Sequence, residues 1–439
     1  MVGKNPYKNN GIAMSKSKRP EQQTRSSKPA TEHIRKRRGN ANGSSKPDSF
    51  DQCSIKNQCK SCKYVNEPYL ERLKQKHQDG LKVLEEAGVL AYSRQLPPNP
   101  SPKPLAYRGV AKLAVRKSNH SSSSFSIGLF KPGTHDVIEV SRCPLHIPVI
   151  NQCIRYLSKL LNESEIQAWD EEKNEGDLRY LVVRAAHKTG ELSLTFVCTD
   201  DSQKASLKEI VKKLKENHKI HGAHLNIHPN EGNQIFGEKT VKLSGSEKLR
   251  ESLCDLKFEI SPKSFFQVNP WQAEKLYRRL EQLVGSGNQS SIAWDLYSGV
   301  GPIAMILARS AYRVLSIEEN PDAVQDAKYH FQINNLEKAE FLTGRVEHLS
   351  GSIPSWAKTP DVIVANPSRA GIAEETRNHL KRILSSASAT QLFYVSCDIN
   401  TLARDLKDLS SSGYKVRQIE AFDMFAQTDK LEWLAIMTK

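Results

Sequence analysis

From about Lys275 to the C-terminus the sequence alternates helix-like and strand-like patterns, a rhythm that restricts this part of the chain to a parallel sheet covered by helices on both faces. The first strand, Ile292 to Leu296, runs into Asp295-Leu296-Tyr297-Ser298-Gly299-Val300-Gly301, and a helix follows from Ile303 to Ala311. Glycines at such a turn let the backbone come close to a nucleotide-like ligand. The second strand, Arg313 to Ile317, ends at Glu318, where a carboxylate can accept both ribose hydroxyls of a nucleoside cofactor. A lone Gly-x-Gly is usually a structural turn. Here it carries more, because strand, helix and acidic residue fall in the order the site needs. Two later strands end in chemistry: Asp361 to Ala365 leads into Asn366-Pro367-Ser368-Arg369, and Phe393-Tyr394-Val395-Ser396 leads into Cys397-Asp398. Ligands bind outside the carboxyl ends of such strands, so Asn366, Cys397 and the glycine loop are expected to converge on one crevice.

Glu432 stands just before the last apolar run, Trp433 to Met437. A thiol and a carboxylate at two strand ends, downstream of a cofactor loop, point to an enzyme that attacks an electron-poor ring and then removes a proton.

The net charge of +15 is unevenly placed. Twelve basic and three acidic residues fall in residues 1–50, a segment rich in Lys, Ser, Asn and Gly that reads as a disordered basic tail. Its run Arg35-Lys36-Arg37-Arg38 suits phosphates, although a solvated tail without a specific role explains it equally well. No apolar run approaches the roughly 18 residues of a membrane helix, and the N-terminus lacks a signal peptide's apolar core. A cytoplasmic protein with reduced or metal-bound thiols is expected, and a monomer is the default.

Cys53, Cys59 and Cys62 form C-x5-C-x2-C in a polar segment, and Cys143 lies far downstream in Arg142-Cys143-Pro144-Leu145. Four such thiolates can wrap an iron-sulfur cluster or a zinc ion, and spacing alone does not choose. A chance group of free thiols is the plainer reading, but it would be a reactive liability. Cys153, Cys198 and Cys254 stand singly among apolar or mixed residues and read as core fillers. Residues 51–270 divide into this cysteine segment, a helical pattern from Pro68 to Ala91, a Pro-rich connector from Pro97 to Pro104, and an α+β central domain. In that domain, strands are expected at 111–115, 126–130, 137–140, 181–185, 192–198, 223–227, 233–236 and 258–260, with helices at 147–161 and 207–218. Residues 271–439 form the covered-sheet domain.

Taken in order, Ser261-Pro262-Lys263-Ser264-Phe265-Phe266-Gln267-Val268-Asn269, the loop Asp295 to Gly301, Ser396-Cys397-Asp398 followed by Thr401-Leu402-Ala403-Arg404-Asp405, and Phe422-Asp423-Met424-Phe425 with Gln427-Thr428 and Glu432 closely resemble the RNA uracil-5-methyltransferase family. The resemblance spans roughly residues 50–439. It implies an α/β fold with a C-terminal Rossmann-like class I methyltransferase domain, and S-adenosylmethionine contacts at Gln267, Tyr297, Glu318 and Asn366. It implies that Cys397 is the nucleophile and Glu432 the base, and that Cys53, Cys59, Cys62 and Cys143 hold a [4Fe-4S] cluster rather than zinc. The cysteine segment near the start of the folded part is most similar to the branch that modifies large-subunit (23S) ribosomal RNA, with transfer RNA as the alternative substrate. Four positions depart from the family pattern: Ser298 replaces a cysteine, Ser368 and Ala426 replace prolines, and Lys430 stands where histidine is usual. These bear on substrate positioning and rate rather than on reaction type.

Uracil explains why such residues are needed. Carbon 5 is a poor nucleophile until a thiolate adds at carbon 6 and turns the ring into an enolate that can attack the sulfonium methyl. A carboxylate must then remove the carbon 5 proton so that the thiol is expelled. A free thiol with a pKa near roughly 8.5 is only slightly ionised at neutral pH, so Cys397 needs help; Arg369 and Arg404 are candidate partners, with ordinary salt bridges as their plainer role. The nucleotide must be flipped out or lie in a loop, with the central domain and basic tail as the RNA platform. Of the adjacent pair Phe265 and Phe266, one core and one contact role are expected. The cysteine-bound group has no task in methyl transfer, so its expected role is structural or RNA-orienting. Two rivals are an amino-group methyltransferase built on Asn366-Pro367, which would need no cysteine, and a non-catalytic RNA-binding protein on a degenerate scaffold.

Overall fold

The computed structural model describes residues 53–118, 125–229, 234–288, 290–348, 352–386 and 390–439. The basic tail and its arginine-rich run lie outside them. Two large sheets organise the chain. Before the first of them come the short helix α1 (Lys56–Cys59), the long helix α2 (Tyr69–Glu86) and a two-residue strand β1 (Arg94–Gln95).

The central sheet is built from β2 (Val110–Lys117), β3 (Phe125–Phe130), β4 (Val137–Glu139), β5 (Leu178–Ala185), β6 (Leu192–Cys198), β7 (Ile220–Ile227) and β8 (Lys239–Gly245), in the order β4-β3-β2-β5-β6-β7-β8. All its pairs are antiparallel except β6 with β7. Helix α3 (Pro148–Asn162) connects β4 to β5, and α4 (Lys204–Asn217) makes the crossover from β6 to β7 that a parallel pair requires. Ile150, Ile154, Leu157 and Leu161 of α3 and Leu207, Val211 and Leu214 of α4 bury their apolar stripes on one face of this sheet, with Cys153 and Cys198 in the same core. The hairpin β9 (Leu249–Leu253) and β10 (Leu256–Ile260) follows.

The second sheet takes α5 (Pro270–Val284), β11 (Ile292–Leu296), α6 (Pro302–Arg309), β12 (Arg313–Glu318), α7 (Pro321–Ile333), β13 (Ala339–Thr343), β14 (Val362–Ala365), α8 (Glu374–Ser386), β15 (Gln391–Ser396), α9 (Ile399–Leu409), β16 (Lys415–Phe422) and β17 (Glu432–Thr438). Its order is β1-β16-β17-β15-β14-β11-β12-β13. Strands β11 to β15 run parallel, and β17 is inserted antiparallel between β15 and β16. Successive strand residues alternate between two cores, as the period of two requires. Ala293, Val314, Val364, Phe393 and Leu434 pack on the α5, α6 and α7 side, and Trp294, Leu315, Ile363, Tyr394 and Trp433 on the α2, α8 and α9 side. The order of the strands reverses between β11 and β14, which opens a crevice at their carboxyl ends. No helix among the described residues is long and apolar enough to cross a membrane.

The structure departs from the sequence reading in several places. Residues 234–236 form no strand, and residue 233 lies outside the described residues. β1 lies just before the Pro-rich connector and pairs parallel with β16, and Asn99 within that connector bridges to Phe422. Helix α2 likewise packs on the second sheet, through Leu73 and Leu84, although the sequence groups it with the segment before residue 270. β8 escaped notice because an edge strand reading Lys-Thr-Val-Lys-Leu-Ser-Gly buries only Leu243. The α2 contact is close: His77 stacks on Trp433 at 5.6 Å and 16°, and a Cβ on Gly80 would collide with the Trp433 indole. An ordinary helical Gly→Ala exchange stabilises by about 1 kcal/mol, whereas forcing a methyl into a packed core costs about 1–3 kcal/mol. Gly80→Ala is therefore expected to lower stability, read as a lower midpoint in urea unfolding.

Candidate active site

The glycine loop is shaped by backbone that only certain residues tolerate. Tyr297, Gly299 and Gly301 have φ of 61°, 55° and 83°. A side chain at Gly299 would meet nothing within 4 Å, so this glycine faces open space, while Gly301 is pressed against Ala327. Glu318 at the end of β12 accepts the Gly299 N–H at 2.8 Å through one oxygen and the Asn320 N–H at 2.9 Å through the other. Each oxygen keeps a lone pair for a ribose hydroxyl. Ser298 fits its position: its hydroxyl accepts from the Ser316 hydroxyl of β12 at 2.8 Å. Asp295 is fully buried and accepts the Ala304 N–H at 2.8 Å, capping α6 from inside the core because Gly301 has no side chain to do so. Burial, reinforced by Glu318, holds its carboxyl well above the usual carboxylate range. The loop motif by itself does not single out Asp295; its signal in the sequence is an acidic residue inside an apolar strand.

The Ser261–Asn269 loop is tied down at both ends. Asp326 of α7 accepts from the Ser261 and Ser264 hydroxyls at 3.1 and 2.7 Å, and buried Asn269 caps α5 through the Gln272 N–H at 3.2 Å. Between these anchors Gln267 donates to the Tyr277 hydroxyl at 3.4 Å. Phe266 is buried against Phe258, whereas Phe265 is 70% exposed, so the pair divides into one core and one contact residue. Asn366 follows β14 half-buried, its N–H donating to Leu296 O at 3.2 Å, which places it at the reversal point beside the glycine loop.

Cys397 and Glu432 meet through sheet register. The β15–β17 ladder ends with Ser396 opposite Trp433, so the next residues on the two facing strands are Cys397 and Glu432, with strands about 4.8 Å apart. Glu432 is 4% exposed and burial pushes its carboxyl up to about 8. The Cys397 thiol is also raised, first by burial and then by Glu432, and is drawn down by the Arg369 guanidinium, which hydrogen-bonds it. Arg404 instead donates to Asp405 and to Ala370 O. The two arginines therefore separate: Arg369 reaches the thiol, and Arg404 is a local salt bridge. Asp405, fully buried, also accepts from Tyr394 at 2.6 Å and from the Ile372 N–H at 2.7 Å, fixing the turn after Asn366. Lys430 stands 3.5 Å from Asp398, next to the thiol.

The four cysteines of the N-terminal segment come together from two places. Cys53, Cys59 and Cys62 surround α1, and Cys143 follows β4; Cys62 and Cys143 pack with Tyr107, Leu145 and Ala426. The Cys62 thiol is pushed up to about 12 by burial and then by Cys143, Cys59 and Cys53, so all four lie within electrostatic range. Yet no three His, Cys, Asp or Glu side chains among the described residues are grouped as a metal-ion site.

The covered parallel sheet, the acidic-capped glycine loop and the crevice beside it define a methyltransferase of the nucleoside-cofactor type. Comparison with known proteins narrows the class. Residues 107–439 match the family described as tRNA (Uracil-5-)-methyltransferase. The chain is 33% identical over 395 residues to an uncharacterized RNA methyltransferase of Bacillus cereus, covering 88% of this chain and 83% of that protein. It is 30% identical to another from Synechocystis, covering 88% and 81%. Its fold is similar to that of the Pyrococcus abyssi tRNA (uracil-54, C5)-methyltransferase in complex with S-adenosyl-L-homocysteine, with a TM-score of 0.69, 26% identity, and coverage of 87% of this chain and 86% of that one. The chain belongs to the family of S-adenosylmethionine-dependent RNA uracil-5-methyltransferases.

The carboxyl of Glu432 titrates near 8 and, once ionised, raises a Cys397 thiol already held above its ordinary value, so product formation is expected to keep rising as pH passes through about 8 rather than level off there, read as initial rates between pH 6 and pH 9. The same shift bears on stability. Its folded pKa exceeds its ordinary value of 4.5, so stability falls as pH rises from there through about 8. Glu432→Gln is expected to abolish that fall, read by urea unfolding at pH 5 and pH 9.

Proposed function

We propose that this enzyme methylates carbon 5 of one uridine in a folded RNA through a covalent adduct between Cys397 and uracil carbon 6. The juxtaposition of Cys397 and Glu432 across the β15–β17 ladder carries this reading. S-adenosylmethionine supplies the methyl group, with Gln267, Tyr297, Glu318 and Asn366 as its contacts. Arg369 favours the thiolate, and a neutral Glu432 spares it a second negative charge. Addition at carbon 6 moves the thiolate's electrons into the ring, so carbon 5 attacks the methyl while the methyl–sulfonium bond breaks and S-adenosylhomocysteine leaves. The thiolate charge is then gone, so the Glu432 carboxyl can release its own proton to solvent and become a carboxylate. Glu432 takes the carbon 5 proton, the ring double bond re-forms, and the carbon–sulfur bond breaks to return the thiolate.

The central domain offers a phosphate-binding side near the Ser261–Asn269 loop. Arg108 and Arg184 lie close enough to Lys112 for their charges to lower its pKa, behind a larger effect of burial. Arg184 reaches the loop by donating to Ser264 O at 2.9 Å. Arg108, Lys112 and Arg184, with Glu251 the counter-charge to Arg184, stand on the side of the loop that carries exposed Phe265, a combination that suits a backbone and an unstacked base. The target in this reading is 23S ribosomal RNA, on the strength of the cysteine segment; transfer RNA is the second reading, favoured by the likeness to the P. abyssi enzyme. Cys53, Cys59, Cys62 and Cys143 hold a [4Fe-4S] cluster with a structural role.

Wild-type enzyme is expected to form a denaturation-resistant adduct with 5-fluorouridine RNA, because fluorine leaves no carbon 5 proton to abstract. Cys397→Ala removes both adduct and activity, and Glu432→Gln accumulates a methylated adduct on ordinary RNA. Full activity of Cys397→Ala would instead support amine methylation. Mapping 5-methyluridine in 23S and transfer RNA transcripts after incubation separates the two substrates. Anaerobically purified protein is expected to carry about four iron atoms and four sulfides per chain, and a zinc-only preparation with full activity would refute the cluster.

A further inference from the structure

The carboxyl of Glu432 has no hydrogen bond among the described residues, so its place beside Cys397 is set by the backbone that carries it. That backbone enters β17 from the loop 423–431, whose carbonyls are gripped from outside the sheet. Asn269 donates to Met424 O at 3.2 Å, the Tyr107 hydroxyl to Ala426 O at 3.0 Å, and the Tyr64 N–H to Gln427 O at 2.9 Å. Lys76 of α2 differs from these in holding both ends of the loop. Its ammonium lies 2.5 Å from the Asp423 carboxylate at the start and donates to Lys430 O at 3.1 Å, two residues before Glu432. The next residue of α2, His77, stacks on Trp433, one residue after Glu432. Glu432 is thus bracketed by α2 on both sides.

The Lys76–Asp423 pair is almost wholly buried, at 3% and 0% side-chain exposure. Two buried charges are an expensive way to fill space that apolar residues would fill as well or better, while their directional bonds fix a backbone position that apolar packing leaves free to shift. We propose that Lys76 is a positioning residue for the proton-abstraction step: by joining Asp423 to the Lys430 carbonyl, it sets where β17 begins and so where the Glu432 carboxyl stands relative to the uracil adduct. The inference rests on the reaction proposed above. Because Lys76 touches neither Cys397 nor the glycine loop, losing it leaves adduct formation and methyl transfer in place and slows only the release of the methylated product.

The test compares wild type and Lys76→Met on a uridine-containing RNA transcript in single-turnover reactions with radiolabelled S-adenosylmethionine. Label transfer to RNA and decay of the covalent complex on denaturing gels are followed separately. The expected result is methyl transfer within about threefold of wild type, release slowed about tenfold or more, and a labelled protein–RNA band on ordinary uridine RNA. Wild-type release, or transfer and release slowed equally, would overturn the proposal, the second because a merely structural role affects both steps alike. Cofactor affinity by calorimetry reports whether the variant is folded. If Lys76→Met fails to bind cofactor, Lys76→Met/Asp423→Leu leaves no unpaired buried charge and is held to the same outcomes. The 5-fluorouridine adduct of wild-type enzyme is the control: if it does not form, the uracil-adduct reaction fails, whereas its formation with normal release by the variant defeats the role of Lys76 alone.

Discussion

The antiparallel insertion of β17 between β15 and β16 is the constraint on which the site depends. In a sheet whose other central strands run parallel, every strand presents its carboxyl end to the crevice, and a residue at the beginning of a strand would lie at the opposite edge. Reversing β17 brings its first residue, Glu432, to the same edge as the last residues of β15, and the register Ser396 to Trp433 sets it across from Cys397. A slip of one residue would turn Glu432 toward the other face of the sheet and drive Trp433 from its own core into the opposite one. The alternation of Leu434 and Ile436 into one core and Trp433, Ala435 and Met437 into the other holds the register.

This geometry places two acids side by side in a buried setting. The electrostatics impose an order, since an ionised Glu432 would raise the thiol and delay its attack. In the proposed reaction, a carboxyl held near 8 by burial stays neutral while the thiolate forms and gains its charge once that of the sulfur has been spent on a covalent bond. Arg369 provides the bias for the first half of this sequence, and no second cation is needed beside the carboxylate for the other half.

The N-terminal segment belongs to the same mechanical unit. Its helix α2 covers the sheet, its strand β1 extends it, and its cysteines pack through Tyr107 and Leu145 against Ala426 in the loop before Glu432. Ala426 replaces a proline of the family pattern but keeps its carbonyl bonded to Tyr107. The cysteine segment therefore adjoins the loop that leads into Glu432.

Much of the C-terminal half was legible in the sequence because its signals are local. Glycines at a strand-to-helix turn, Glu318 at the next strand end, and Cys397 closing an apolar run each depend on neighbours within a few residues. The strand and helix periods of the central domain were readable for the same reason. Other features required the folded chain. Lys76 looks like any surface lysine of an amphipathic helix, and Asp423 like one member of a motif, until the fold joins residues 347 positions apart. β1, at two residues, carries no pattern, and Arg369 and Arg404 are indistinguishable until one is seen to reach the thiol and the other Asp405. The sequence alone determined the covered parallel sheet and the glycine loop, and it singled out Cys397 and Glu432 as the proposed nucleophile and base, because these follow from residue type and short-range order. Only the tertiary structure decided how the base is oriented and what holds it, because strand direction, register and burial arise from long-range pairing that no local pattern encodes.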